Sequence, residues 1–151
     1  MKVVLQRVSQ AEVSVSGETI GRIGKGLLAL AAFSRQDDEN DLAWMARKIV
    51  DLRVFDDYNG NLNLSLRDID GCLMVISQFT LYGNCKKGRR PSYSEAAPPA
   101  VAEALYNRFV EIVRLMVPDV KTGRFQSAMK VTLTNDGPVT LILDSSRFTA
   151  V

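Results

Sequence analysis

Apolar residues along the chain fall into two kinds of pattern. Residues 2–8 (KVVLQRV), 11–16 (AEVSVS) and 18–23 (ETIGRI) alternate or cluster as short strands do, with Gly17-Glu18 as a turn and Gly21, Gly24 and Gly26 as punctuation. Gly26 to Phe33 (GLLALAAF) is continuously apolar, as a strand buried on both faces would be. Then the period changes. Asp37, Asp38 and Glu39 place negative charge where a helix begins, and Leu42, Met45, Ala46, Ile49 and Val50 recur at steps of three and four, which predicts an amphipathic helix over about 38–52. Arg53–Phe55, the turn Asp57-Tyr58-Asn59-Gly60 and a polar stretch through Gly71 lead to a second buried strand, Cys72 to Phe79 (CLMVISQF). A long loop, 83–97, precedes a helix opened by Pro98-Pro99, with Val101, Leu105, Phe109, Ile112 and Met116 as its inner face and Pro118 as its stop. Two last strands follow Thr122-Gly123. The expectation is a single α+β domain over 1–151, a mostly antiparallel or mixed sheet curled toward a barrel with two covering helices.

The joint between those last strands is odd. Thr134 to Thr140 (TNDGPVT) separates two strand-like runs, and Asp136-Gly137 alone suits a two-residue hairpin. Pro138, however, has no N–H to give to a ladder where the second strand should start pairing. A trans proline at a hairpin corner satisfies the pattern, since only about 5% of X-Pro bonds are cis.

Composition narrows the chemistry. The 151 residues carry a net charge of +2, short of the strongly basic footprint of a dedicated DNA-duplex binder. Gln6 and Arg7 interrupt the N-terminal apolar run, so no signal peptide or membrane span is expected there, and a cytoplasmic location is. Histidine is absent, and Cys72 and Cys85 stand alone, so neither a usual zinc site nor a Cys-His pair can be built. Any Ser or Thr nucleophile would need an activator other than histidine.

Two stretches could still carry chemistry. Ser77-Gln78-Phe79-Thr80 lies at the end of an apolar strand, where side chains and amides are released from the ladder to face a ligand; a strand running into a polar turn gives the same pattern. Lys86, Lys87, Arg89 and Arg90, close to Tyr93, put four cations into five residues that could hold phosphates or simply be solvated.

Taken together, SQFTLYG (77–83), KGRRPSY (87–93), AAPP (96–99), TGRF (122–125), NDGPVT (135–140) and the opening VLQRVSQAEVSV resemble the D-aminoacyl-tRNA deacylase family over essentially the whole chain. The resemblance implies a homodimeric hydrolase, free of metal and cofactor, that cuts the ester between a D-amino acid and the terminal adenosine of tRNA and clears glycine from alanine tRNA. It implies that Gly137-Pro138 is cis, is held by Arg7, and enters the partner subunit's pocket to exclude L side chains. It further implies that Ser77 and Gln78 hold the substrate's amino group, that amides around Phe79 and Thr80 bind the oxyanion, that the substrate's 2′-hydroxyl assists water, and that Phe125 and Met129 contact adenosine. The basic residues 86–90 would meet tRNA phosphates. No membrane or DNA partner is implied. One departure stands out: where the family usually continues TGRF with a small residue, this chain has Gln126 and Ser127. Two other readings of the same residues are a non-catalytic module that binds the tRNA acceptor end and a Thr-dependent esterase.

Overall fold

The computed structural model describes residues 1–147. Strand β1 runs from Lys2 to Val15 without the break expected near Val8. It pairs with three strands: β2 (Glu18–Ile23) along its second half, β3 (Gly26–Ala32) along its first half, and β8 (Met129–Asp144) along its whole length, all antiparallel. Beyond β3 the sheet continues in parallel with β6 (Cys72–Ser77) and β7 (Val120–Thr122). Opposite ends of this order approach each other. A Cβ on Gly21 of β2 would stand 3.4 Å from Thr122 of β7, so the sheet curls nearly closed. Mixed pairing, curling and two helices are as the sequence pattern predicts.

Two sets of apolar side chains explain the curl. Val3, Leu5, Leu27, Ala29, Leu73 and Val75 face the helices, whereas Val8, Ala11, Val13, Leu28, Met74 and Ile76 fill the inside of the curl. β1 serves both, because a register shift between Val8 and Gln10 reverses the parity of its buried positions. That shift is why exposed Ser9 and Gln10 resemble a turn in the sequence yet lie within one strand. The turn after β1 is Ser16-Gly17 rather than Gly17-Glu18, with both residues at positive φ (52° and 84°), the geometry of a tight hairpin. Gly26 is required where β3 meets β6, since a Cβ there would collide with the Cys72 carbonyl oxygen.

Helix α1 (Glu39–Asp51) starts at Asp38, whose carboxylate accepts from the amides of Asn40 (2.8 Å) and Asp41 (3.1 Å), while Asp41 accepts in return from the Asp38 amide (3.1 Å). These bonds to the charged form hold the Asp38 carboxyl below its usual pKa. Helix α2 (Pro99–Arg114) buries Ala102, Tyr106, Phe109 and Val113 at steps of four, three and four. Val101, expected on the inner face, is 44% exposed because that stripe lies about 100° around the helix from it. The turn at Asp57–Gly60 joins two short strands, β4 (Phe55–Asp56) and β5 (Leu62–Leu64). Among the described residues no helix is long and apolar enough to cross a membrane.

The largest departure concerns the C-terminal strands. They are one strand, β8, whose halves both pair with β1: Asn135 stands opposite Val8 and Thr140 opposite Gln6. Five residue steps on β8 therefore face two on β1, and Asp136 to Val139 are pushed out of the ladder as a bulge instead of reversing the chain. β1 is long enough to accept both halves on one line, which is the reason no hairpin forms. β7 went unforeseen because a strand of three residues has no readable period.

Candidate functional site

β6 stops pairing at Ser77, opposite Ala31, one residue before β3 itself ends. The Gln78 amide still donates to the Ala31 carbonyl (2.7 Å), and then Phe79–Tyr82 turn as a short 3₁₀ segment, so the strand stops two residues short of the Phe79 end that the pattern marks. Beyond this strand end opens a cleft of about 810 Å³. Ser77, Gln78 and Phe79 form one wall, with Phe125 and Met129 across from them. Gly123 makes room for the second wall, since a Cβ there would strike the Met129 sulfur. Phe125 is steadied by the Tyr106 ring, 5.9 Å away between centroids.

Thr80 lies just outside this lining; its Oγ1 accepts from Gln78 Nε2 at 2.6 Å. An amide donor cannot draw off a hydroxyl proton, and among the described residues the Thr80 hydroxyl has no hydrogen bond to a base. The backbone amides of Phe79 and Thr80, at the start of the 3₁₀ turn, have no hydrogen-bond acceptor among the described residues. Phe79 projects with 53% of its surface exposed and meets the Tyr93 ring edge-on at 5.1 Å.

Chemically, the cleft lining is notable for its residue types. Among the described residues that line it there is no carboxylate, histidine, lysine or cysteine, and Arg35 is the one charged side chain. Tyr106, beneath Phe125, is no substitute base, because burial pushes its pKa up to about 12 and its hydroxyl donates to the Val75 carbonyl (2.9 Å). Neither cysteine takes part. Cys72, at the other end of β6, donates to Asp119 (3.3 Å) and burial raises its pKa, while Cys85 is exposed on the basic loop.

Gly137 and Pro138 lie elsewhere. Arg7 stands in register with Leu27 and Leu73, and Ser77 is four residues further along β6, roughly 13 Å at strand rise. The Gly137-Pro138 peptide is cis. Arg7, 4% exposed, gives its guanidinium to the bulge: Nε donates to the Asp136 carbonyl (3.0 Å) and Nη2 to the Gly137 carbonyl (3.3 Å). Its Nη1 donates to the Val54 carbonyl (2.8 Å) and to Asp56 (3.3 Å), which anchors the bulge to the segment after α1. Asn135 closes the bulge by donating from one amide to the carbonyls of Arg7 (2.9 Å) and Val139 (3.2 Å). Gly137 and Pro138 themselves are exposed.

Thus the structure brings Ser77, Gln78, Phe79, Phe125 and Met129 to one cleft, places Arg7, Gly137 and Pro138 together at another location, and sets Lys86, Lys87, Arg89 and Arg90 on an exposed loop. Gln126 and Ser127 also line the cleft, and Gln126 has φ of +55°, a conformation that a glycine adopts without strain. Sequence reasoning missed Arg35, which follows the end of β3 and carries no motif.

Comparison with known proteins gives a consistent picture. The profile of the family described as D-Tyr-tRNA(Tyr) deacylase matches residues 4–144. A D-aminoacyl-tRNA deacylase of Thermosipho africanus is 53% identical over 97% of this chain and 99% of its own length. One from Geobacter sulfurreducens is 52% identical over 96% and 95%, respectively. A solved structure described as the c-Myc DNA Unwinding Element Binding Protein superimposes with a TM-score of 0.91 at 41% identity, covering 95% of this chain and 98% of that one.

Proposed function

As a member of the D-Tyr-tRNA(Tyr) deacylase family, the chain is a hydrolase of the D-aminoacyl-tRNA ester, and we propose that it cuts this ester in the cleft beyond β6 without a protein base. The observation that carries this reading is the cleft's residue content: apolar walls and hydroxyls, with no carboxylate or histidine among the described residues that line it. A water oxygen attacks the ester carbonyl carbon, the bond to the ribose 3′-oxygen breaks, and the proton passes by way of the substrate's own 2′-hydroxyl to that leaving oxygen. The protein contributes placement and charge stabilisation. Ser77 and Gln78 hold the amino group, the Phe79 and Thr80 amides face the oxyanion, and Phe125 with Met129 sandwich the adenine. Each well-aimed amide is worth about 3 kcal/mol of transition-state stabilisation.

Handedness is judged by the bulge of a second copy. At a chiral carbon the side chain and hydrogen exchange places between enantiomers, so a fixed wall that tolerates hydrogen at one position excludes an L side chain and accepts a D one. Glycine passes for want of a side chain, which extends the activity to glycine on alanine tRNA. Support for the homodimer comes from three features: the bulge is pinned from behind by Arg7, it projects from an edge strand, and that strand exposes Ile142 at 79%. Such a chain works in the cytoplasm, where charged tRNA is found.

The test uses D- and L-tyrosyl-tRNA with protein at a hundredth of the substrate concentration. Complete release of D-tyrosine with the L ester intact is expected. Equal cleavage of both overturns the chiral wall, and release limited to one equivalent or less makes the chain a binding module. Substrate lacking the 2′-hydroxyl should resist cleavage; a Thr80-dependent esterase would be indifferent to its loss.

A further inference from the structure

Next to the cleft, residues 84–92 form a narrow tongue. Asn84 and Ser92 exchange backbone hydrogen bonds (2.8 and 3.0 Å) at its neck, Asn84 Oδ1 accepts from the Lys86 amide (3.0 Å), and Gly88 makes its tip turn with φ of +67°. Lys86, Lys87, Arg89 and Arg90 are all exposed on it, and among the described residues none of them forms an ion pair, whereas Arg22, Arg67 and Arg108 each pair with a carboxylate. Its root is fixed. Tyr93, directly after the neck, packs edge-on against Phe79 of the cleft wall, and Tyr93 and Arg35 both line the cleft. Arg35 thus lines the cleft, and the four cations without an ion pair stand on the hairpin that Tyr93 roots in the cleft wall. The groove on the other side of Arg35 is mixed in charge, with Asp37, Asp41, Glu95 and Asp144 in its walls.

We propose that this tongue, with Arg35 at its foot, holds the ribose-phosphate backbone of the tRNA acceptor end just upstream of the terminal adenosine, and so sets the direction in which the RNA leaves the cleft. The inference rests on the deacylase reading of that cleft. Four cations on a short, anchored hairpin suit the repeating charge of a nucleic-acid backbone, which is recognised without regard to sequence. Binding energy collected there raises the occupancy of the cleft by long substrates and adds nothing to the chemistry of the ester.

A quadruple variant, K86Q/K87Q/R89Q/R90Q, compared with the parent on two substrates, tests this. On D-tyrosyl-tRNA at low salt the variant should lose about tenfold or more in kcat/KM, through KM with kcat kept, and its plot of log kcat/KM against log salt should be shallower by about 3, at roughly 0.7–0.9 for each of the four phosphates no longer neutralised. On D-tyrosyl-adenosine, which has no phosphate, parent and variant should agree within about twofold, the spread expected when surface charges far from a substrate are changed. An unchanged salt slope overturns the proposal, as does an equal loss on both substrates, which would make the tongue a prop for the cleft wall. Affinity for uncharged tRNA reads the tongue with no hydrolysis involved. A variant that binds as tightly as the parent sinks the tongue, whereas a parent that binds tRNA but cleaves neither ester sinks the deacylase reading alone.

Discussion

The cleft beyond β6 and the bulge in β8 are both places where a ladder stops, and they are built in opposite ways. In the cleft the backbone is released: β3 and β6 end within a residue of each other, the Phe79 and Thr80 amides have no acceptor among the described residues, and the walls are side chains with open space between them. In the bulge the backbone is held. A buried arginine and an asparagine satisfy its carbonyls from behind, and no cavity adjoins it among the pockets that Ser77 or Arg35 line. One region has space to receive a ligand, and the other has a backbone held by side chains and no space of its own in those two pockets. This contrast supports the proposed pairing of two copies, in which each would lend its bulge to the other's cleft.

Removing Arg7 should blur the contrast most. Arg7→Ala strands the Asp136, Gly137 and Val54 carbonyls and leaves a buried gap, a loss of about 3 kcal/mol. That corresponds to a fall in Tm of roughly 6–12 °C for a domain of this size, read by calorimetry. If the bulge is the chiral wall, the surviving protein also cleaves L-tyrosyl-tRNA; preserved D-selectivity in a folded Arg7→Ala protein would detach selection from the bulge.

Filling the cleft attacks the other side of the comparison. Ser127→Trp places an indole at the Phe125 and Met129 end, where Ser127 is only half buried and the chain has room to keep its fold. Activity on D-tyrosyl-tRNA should fall about 10²-fold or more, as displacing a substrate by an ångström or so does, with Tm nearly unchanged. Undiminished kcat/KM would place the substrate elsewhere.

The smallest effect is expected at Thr80. Thr80→Val removes the acceptor of the Gln78 amide, an exchange worth about 1 kcal/mol, so kcat should fall less than tenfold. Under single-turnover conditions the parent's rate should rise or stay level across pH 5.5–8.5 without the inflection near 6.5 that a histidine base imposes, since the chain has no histidine. A loss of several orders of magnitude in Thr80→Val would restore the hydroxyl as nucleophile.

Much of this was legible in the amino acids. Leu42, Met45, Ala46, Ile49 and Val50 announce α1, and Asp38 its start, because helix periodicity and capping are local. The apolar runs of β3 and β6 announce a sheet covered on both faces, and the strand-end residues 77–79 do line the cleft. Cues failed where the answer depended on a distant partner. Ser9-Gln10 has the polarity of a turn and becomes a bulge because β8 follows β1 past it. Asp136-Gly137 has the signature of a hairpin and becomes a bulge because β1 offers pairing on both sides of Arg7. Arg35 had no signal at all; it belongs to the cleft only because segment 93–97 packs beside it, through the Ser34–Ala96 bridge and the bond from the Ala97 amide to the Phe33 carbonyl (2.9 Å).

By itself, then, the sequence determined the periods, the caps, the absence of a histidine and the presence of a proline where a ladder wants a donor, all properties that a residue carries within a few neighbours. Tertiary structure decided which strand ends face a common space, that Arg7 lies behind Gly137 from 130 positions away, and that four cations hang beside the cleft. Those choices follow from long-range pairing, above all along β1, whose register aligns β2, β3 and β8, and no local pattern encodes a register between segments so far apart.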